Sequence, residues 1–308
     1  MQKKTVLITG GTGLVGRRLT ELLLQRNYRV SYLSRSAHSI KDVSVYEWDI
    51  HKEAVDPRAL DSMDYLIHLA GAGIADERWT DERKKVIVQS RTETIELLAH
   101  IMKAQGQRPE AFVSSSAIGY YGADTGQQKH TEQSPPGSDF MADVCVKWEA
   151  AADTVADLGV RTVKIRTGVV LSEKDGALPR MAAPARFGFG APLGSGQQWM
   201  SWIHIDDLCA MYIEALENNA WEGVYNGVAS PPATNAELTK KICKVLNRPQ
   251  WLPNVPTFAL RMIFGEMADV VLGSSYIENA RLRNTDFTYH YPDLENALRN
   301  LLTKGHQE

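Results

Sequence analysis

Gly10, Gly13 and Gly16 follow the apolar run Thr5-Val6-Leu7-Ile8-Thr9 and precede Leu19, Leu22, Leu23 and Leu24 at helical spacing. The chemistry of such a turn is anion binding. Glycine is needed where the backbone turns tightly and where it must approach a pyrophosphate, and the following helix offers unpaired N–H groups to the anion. A dinucleotide fits this cradle, with Thr12, Leu14 and Val15 filling the turn between the glycines. About 20 residues beyond such a turn, an acidic residue would hold the ribose 2′-hydroxyl of NAD. Ser34 and Arg35 stand there instead, and a guanidinium fork suits a 2′-phosphate, so the cofactor expected is NADP. Asp49, at the end of Val43–Asp49, is a candidate acceptor for the adenine amino group, or simply a turn residue.

A second group could act on substrate. Ala111 to Ala117 is an apolar and hydroxyl-rich run that ends in Ile118-Gly119-Tyr120-Tyr121-Gly122. Open α/β sheets bind ligands outside the carboxyl ends of their strands, which places Ser116, Tyr120 and Tyr121 beside a substrate. Arg166, Arg180 and Arg186 hint at an anionic group on it, although scattered arginines also pair locally. His204 with Asp206 and Asp207 has metal-ligand chemistry, but a strand-end histidine and a helix cap explain the same residues, and no metal is expected. His68 reads as a core histidine and Cys145 as a small buried side chain on an amphipathic helix.

The elements that must position these groups alternate as strand and helix. Strands are expected at Thr5–Thr9, Tyr28–Ser36, Val43–Asp49, Asp64–Gly71, Pro109–Gly122, Arg161–Leu171, Trp199–Ile205 and Val224–Gly227. Long helices are expected from Glu82 to Gln105 and from Phe140 to Leu158, with others at Thr257–Leu272 and Pro292–Leu302. Thr234 and Glu237 have capping-box spacing ahead of Leu238, Ile242 and Leu246. Gly176 to Gly196, rich in Gly, Pro and Ala, reads as a substrate-covering segment with few regular elements. The fold class is α/β: a Rossmann doubly wound parallel sheet over residues 1–172, rejoined by strand 223–227, with 173–308 mainly a small C-terminal region that covers the substrate.

Composition narrows the partners. The chain of 308 residues carries 34 basic and 37 acidic residues, interspersed, for a net charge of −3, so no field gathers nucleic acid or an anionic membrane. The 3 cysteines lack Cys-x-x-Cys spacing and suit a reducing compartment. No apolar run is long enough to span a bilayer. The reading is a cytoplasmic protein with a small-molecule substrate, without nucleic-acid or membrane partners.

Together, Thr9-Gly10-Gly11-Thr12-Gly13-Leu14-Val15-Gly16, His68-Leu69-Ala70-Gly71, Ser114-Ser115-Ser116-Ala117 with Tyr121-Gly122, and Ile205-Asp206-Asp207 resemble the extended, epimerase-like short-chain dehydrogenase/reductases. Arg83-Lys84, Ser90-Arg91, Trp148-Glu149, Gln198 to His204 and Gly265-Glu266-Met267-Ala268 extend the likeness, to an atypical epimerase-family branch, over nearly the whole chain. The resemblance implies a sheet ordered 3-2-1-4-5-6-7 with NADP at the strand ends. Ser34 and Arg35 would hold the 2′-phosphate, Leu69 and Ala70 would border the adenosine and ribose, and Arg91 and Val169 would lie nearer the rest of the cofactor. Ser90 looks like the helix position that extended members fill with a structural Asn. A homodimer through the two long helices is one arrangement it allows.

The chemistry implied is hydride transfer with proton transfer by a Ser and a Tyr-x-x-x-Lys pair. Counted from Ser116, that pair falls on Asp143 and Lys147, and the tyrosine is missing. Three readings stay open: a reductase or epimerase whose proton donor is Tyr121 or Tyr120; Asp143 as a base; or NADP binding without turnover. Asp143 and Lys147 at i and i+4 would equally form a surface ion pair.

Overall fold

The computed structural model describes residues 3–36, 38–61 and 63–303. Its main sheet contains β1 (Thr5–Thr9), β2 (Arg29–Ser34), β3 (Val43–Asp49), β4 (Tyr65–His68), β5 (Ala111–Ala117), β6 (Thr162–Thr167) and β7 (Gly223–Gly227). Their order is β7-β6-β5-β4-β1-β2-β3, all parallel, and the two-residue strand Ala54–Val55 adds an antiparallel eighth member beside β3. This is the 3-2-1-4-5-6-7 order, and the fold is the doubly wound Rossmann type. Every residue of β1 is buried, as a central parallel strand covered on both faces requires.

Helices α1 (Leu14–Gln25), α2 (Asp81–Gln105), α3 (Phe140–Ala156), α4 (Ala177–Arg186), α5 (Ile205–Glu217), α6 (Asn235–Val245), α7 (Thr257–Phe264), α8 (Ala268–Leu272) and α9 (Leu294–Thr303) are placed around it. Val6 and Ile8 of β1 face Leu19 and Leu23 of α1 and Leu208 and Met211 of α5, whereas Leu7 faces Ile95 and Leu98 of α2 and Ala152 of α3. The period of two along the strand thus divides the core between the two faces. Because α5 packs on the sheet with α1, residues 203–227 belong physically to the nucleotide-binding half, beyond the boundary at 172. A third core joins α4, α6 and α9 through Leu178, Ala182, Leu238, Ile242, Leu298 and Leu301. Among the described residues, no helix is long and apolar enough to cross a membrane.

Four expectations are corrected. The segment after Gly176 holds a regular helix, α4, whose inward face is Leu178, Ala182 and Ala185; with Pro179 and Pro184 inside it and alanines on most of that face, its composition resembles a loop although it packs on α6 and α9. The run 161–171 is two strands, because at Gly168 a Cβ would meet Ser201 O at 2.5 Å and the chain leaves the sheet to pair Val169–Leu171 with Trp202–His204. The helix 257–272 is broken at Gly265, which has φ +60°. His204, rather than Asp206 or Asp207, caps α5: its Nδ1 accepts the Asp206 N–H at 3.0 Å, while the buried Asp207 accepts the N–H groups of His290 and Tyr291. The Thr234–Glu237 capping box forms as expected, with both reciprocal bonds present.

Candidate active site: a glycine cradle and a buried polar corner

The cradle is built by close backbone packing. Gly10 has φ +69° and a Cβ there would lie 2.7 Å from Leu69 C and 2.8 Å from Ala70 N, so the turn is pressed against the chain leaving β4. Gly16 is equally confined, 2.6 Å from Gly10 O, whereas at Gly13 only Gly10 O lies near, at 3.2 Å. Gly13 is the N-cap of α1 and supplies no side-chain cap, and the first turn of α1 carries no acidic residue. Leu14, Val15 and Gly16 therefore present the positive end of the helix toward the opening at Gly13, the arrangement that receives a phosphate. Thr12 lies exposed on the rim, its carbonyl accepting from Arg17 Nη1 at 2.8 Å. Gly10→Ala is expected to lower stability by roughly 1–3 kcal/mol, the cost of a strained left-handed alanine, and denaturant unfolding will check it.

The residues expected at the adenosine end lie at the ends of β2, β3 and β4. Ser34 is half-buried at the end of β2, and Arg35 is exposed and makes no ion pair with any described residue. Asp49 closes the turn after β3: Lys52 beside it and the N–H groups of His51 and Lys52 hold its carboxyl below the ordinary value. Leu69 and Ala70 are half-buried against Gly10, with the Leu69 N–H on Thr9 O and the Ala70 N–H on Thr9 Oγ1. Val169 is half-buried just past Gly168. Arg91 lies beside the same loop, its guanidinium 3.1 Å from where a Cβ at Gly71 would stand. It is 6% exposed, lies over the Trp148 ring at 5.0 Å and donates to Ala72 O and Ile87 O, so it fixes the loop after β4. Ser90 assists, its Oγ accepting the Ala72 N–H at 2.9 Å.

His68 lies in the core next to this loop, with Nε2 on Thr94 Oγ1 at 2.9 Å. Burial and the Arg91 charge push its pKa down to about 3. Between that value and about 6.5 the unfolded chain binds a proton that the folded chain refuses, so this contribution is full above pH 6.5 and is lost as pH falls. Relative to His68→Gln, the native protein is expected to lose about 1.4 kcal/mol of stability per pH unit below 6, measured by urea unfolding at several pH values.

The corner beyond β5 is where the sequence reading and the structure part. Ser116, 2% exposed, donates to Glu149 Oε1 at 2.7 Å. Arg166 at the end of β6 closes a two-point pair on the same carboxylate, at 2.7 and 2.8 Å, and its Nη1 donates to Tyr121 Oη at 3.0 Å. Tyr121 in turn donates to Asn226 Oδ1 at 2.7 Å. Tyr121 is therefore brought to the Ser116 corner but is 3% exposed and has partners in both roles, and burial pushes its pKa up to about 12. Arg166, expected to face an anionic substrate, is committed inward.

Asp139 sets the register of α3 over this corner. Its Oδ1 caps the helix on the Ala142 N–H and its Oδ2 takes the Ala123 N–H, tying the helix start to the turn after Tyr121. The α3 face that results carries Met141, Cys145 and Glu149 toward Gly119 and Ser116: a Cβ at Gly119 would lie 3.3 Å from Met141 and 3.7 Å from Cys145. A Tyr-x-x-x-Lys pair reaching Ser116 would occupy positions 141 and 145. Asp143 and Lys147 stand on another face, half-exposed and paired with each other at 2.7 Å, so the structure does not bring them to Ser116. Glu149, and its pairing with Arg166, are what the sequence reading missed, the only signal being a carboxylate in register with Met141 and Cys145 on an apolar face.

Tyr120 remains. It is half-buried, packs beside Val228 and Ile277, and lies under the Arg166 guanidinium at 3.3 Å from the ring centre. Above it the C-terminal region is stitched down: Ser274 and Ser275 bond to residues 125, 126, 199 and 201, and Tyr276–Ile277 pairs with Lys129–His130. On the other side Lys84 meets Glu266 at 2.7 Å.

Comparison with known proteins agrees with this architecture. The model of the NAD dependent epimerase/dehydratase family matches residues 6–226, and a domain of unknown function, DUF1731, matches 255–301. The Arabidopsis thaliana epimerase family protein SDR39U1 homolog, chloroplastic, is 38% identical over 305 residues, covering 97% of this chain and 86% of that protein. The human epimerase family protein SDR39U1 is 36% identical over 302 residues, covering 96% and 99%. A crystal structure of the human protein (isoform 2) with NADPH superposes with a TM-score of 0.87 at 34% identity, covering 97% of this chain and 99% of that one. A nucleoside-diphosphate sugar epimerase from Corynebacterium glutamicum gives 0.79 at 34% identity over 98% of this chain and 58% of that one. With its sheet order, its glycine cradle and a family match running from β1 into β7, this chain belongs to the NAD dependent epimerase/dehydratase family.

Proposed function

We propose that the protein binds NADPH in the Gly10–Gly16 cradle and reduces the carbonyl group of a small molecule held between the strand ends and the C-terminal cover. The observation that carries the reading is the cradle itself: an uncapped helix N-terminus behind a turn where a Cβ at Gly10 or Gly16 would meet backbone. Ser34 and Arg35 at the neighbouring strand end favour NADP over NAD, and the human relative crystallised with NADPH supports the same choice. When bound, NADPH supplies the hydride. The chain supplies the cradle for the pyrophosphate, Arg35 for the 2′-phosphate and the hydroxyl-bearing corner for the substrate oxygen. Calorimetric titration with NADPH and NADH tests the binding; NADPH is expected to bind tighter, and equal affinities would remove the 2′-phosphate assignment.

One observation favours a second reading, an NADPH-bound protein without turnover: Met141 and Cys145, neither of which exchanges protons readily, occupy the α3 face toward Ser116. Burial pushes the Cys145 thiol up to about 12. The two readings differ in whether bound NADPH loses its hydride to a metabolite.

A further inference from the structure

Reduction of a carbonyl leaves charge on its oxygen, and a positioned acid must discharge it. Ser116 is engaged by Glu149, Tyr121 by Arg166 and Asn226, and Glu149 by Ser116 and Arg166. Tyr120 is the phenol left at this corner: half-buried, with a hydroxyl that has no hydrogen-bond partner among the described residues. Its ring lies flat enough under Arg166 for the guanidinium carbon to sit 3.3 Å from the ring centre. Glu149 fixes that guanidinium from behind with two bonds.

Resting on the NADPH-dependent reading above, we propose that Tyr120 is the proton donor of this site and that Arg166 stabilises the charge left on its ring. As the carbonyl carbon gains a hydride, the Tyr120 O–H bond breaks and its proton forms the alcohol O–H. The phenolate that remains is held against a fixed cation and takes a proton back from water. Glu149 is a positioning residue, acting through Arg166.

Two measurements test this. The first needs no turnover: N-acetylimidazole treatment of the apo protein followed by peptide mass spectrometry. Acetylation is expected on Tyr120 and not on the buried Tyr121, and saturating NADP is expected to shield Tyr120. Failure to label Tyr120, or no shielding when calorimetry shows NADP bound, overturns the assignment; absence of NADP binding overturns the functional reading instead. The second is Tyr120→Phe, which keeps the ring under Arg166. Transfer of deuterium from labelled NADPH to a metabolite is expected to fall roughly 10²–10⁴-fold with NADPH affinity unchanged. Full transfer by Tyr120→Phe sinks this inference alone, whereas no transfer by the unmodified protein sinks it together with the reductase reading.

Discussion

Glu149→Ala is expected to destabilise the fold by about 3–5 kcal/mol, the largest loss of stability foreseen here. The reason is the company this carboxylate keeps. Arg166 is 3% exposed, and with Glu149 gone its charge would stay buried without a counter-charge. Ser116 Oγ would lose its acceptor in the same step. The penalty for stranding a buried cation exceeds the net worth of the pair, so the loss says little about how much the pair stabilises the native protein. Glu149→Gln keeps an acceptor for Ser116 and is expected to lie between Glu149→Ala and the native protein. Urea unfolding measures both, and a loss under 1 kcal/mol for Glu149→Ala would show that the corner is wetter than its burial implies.

Arg35→Glu is expected to weaken NADPH binding by about 10²-fold or more while leaving the melting temperature within a degree or two. A bidentate contact from a guanidinium to a phosphate makes two charge-assisted hydrogen bonds, each worth about 1.5–3 kcal/mol, and about 1.4 kcal/mol corresponds to tenfold in affinity. Glutamate removes those bonds and sets a like charge beside the phosphate. Its carboxylate would also accept from a ribose 2′-hydroxyl, so NADH affinity should hold or rise. Because Arg35 is exposed and unpaired among the described residues, the fold has little to lose. A variant that binds NADPH as the native protein does would place the 2′-phosphate elsewhere.

The parts of the protein that could be read from the sequence are those whose determinants are local. β1, the glycine turn and α1 are consecutive residues with one physical purpose, and the order of strands and helices follows from periodicity. The Thr234–Glu237 cap was legible because both partners lie within one turn of helix. What resisted reading depends on residues far apart in the chain. Glu149, Arg166, Tyr121 and Asn226 come from four elements, and nothing in the sequence around Arg166 says that it turns inward rather than toward a ligand.

The register of α3 was hidden for a related reason. The loop from Gly122 to Asp139 has no periodicity by which to count, so a spacing carried across it landed on Asp143 and Lys147; Asp139, by capping the helix and holding Ala123, rotates Met141, Cys145 and Glu149 to the corner instead. The break at Gly265 is of the same kind, since a glycine shows where a positive φ is permitted and the fold decides where it is used.

Hydride transfer from bound NADPH ties the cradle to the hydroxyl corner. It is tested most directly by incubating the purified protein with NADPH deuterated at the transferable carbon and an extract of cell metabolites, then following the label by mass spectrometry. Deuterium appearing on carbon in one class of metabolite, in proportion to NADPH consumed, is the predicted result and identifies the substrate. Label that stays entirely on a cofactor shown to be bound would contradict it and leave a protein that holds NADPH without spending its hydride.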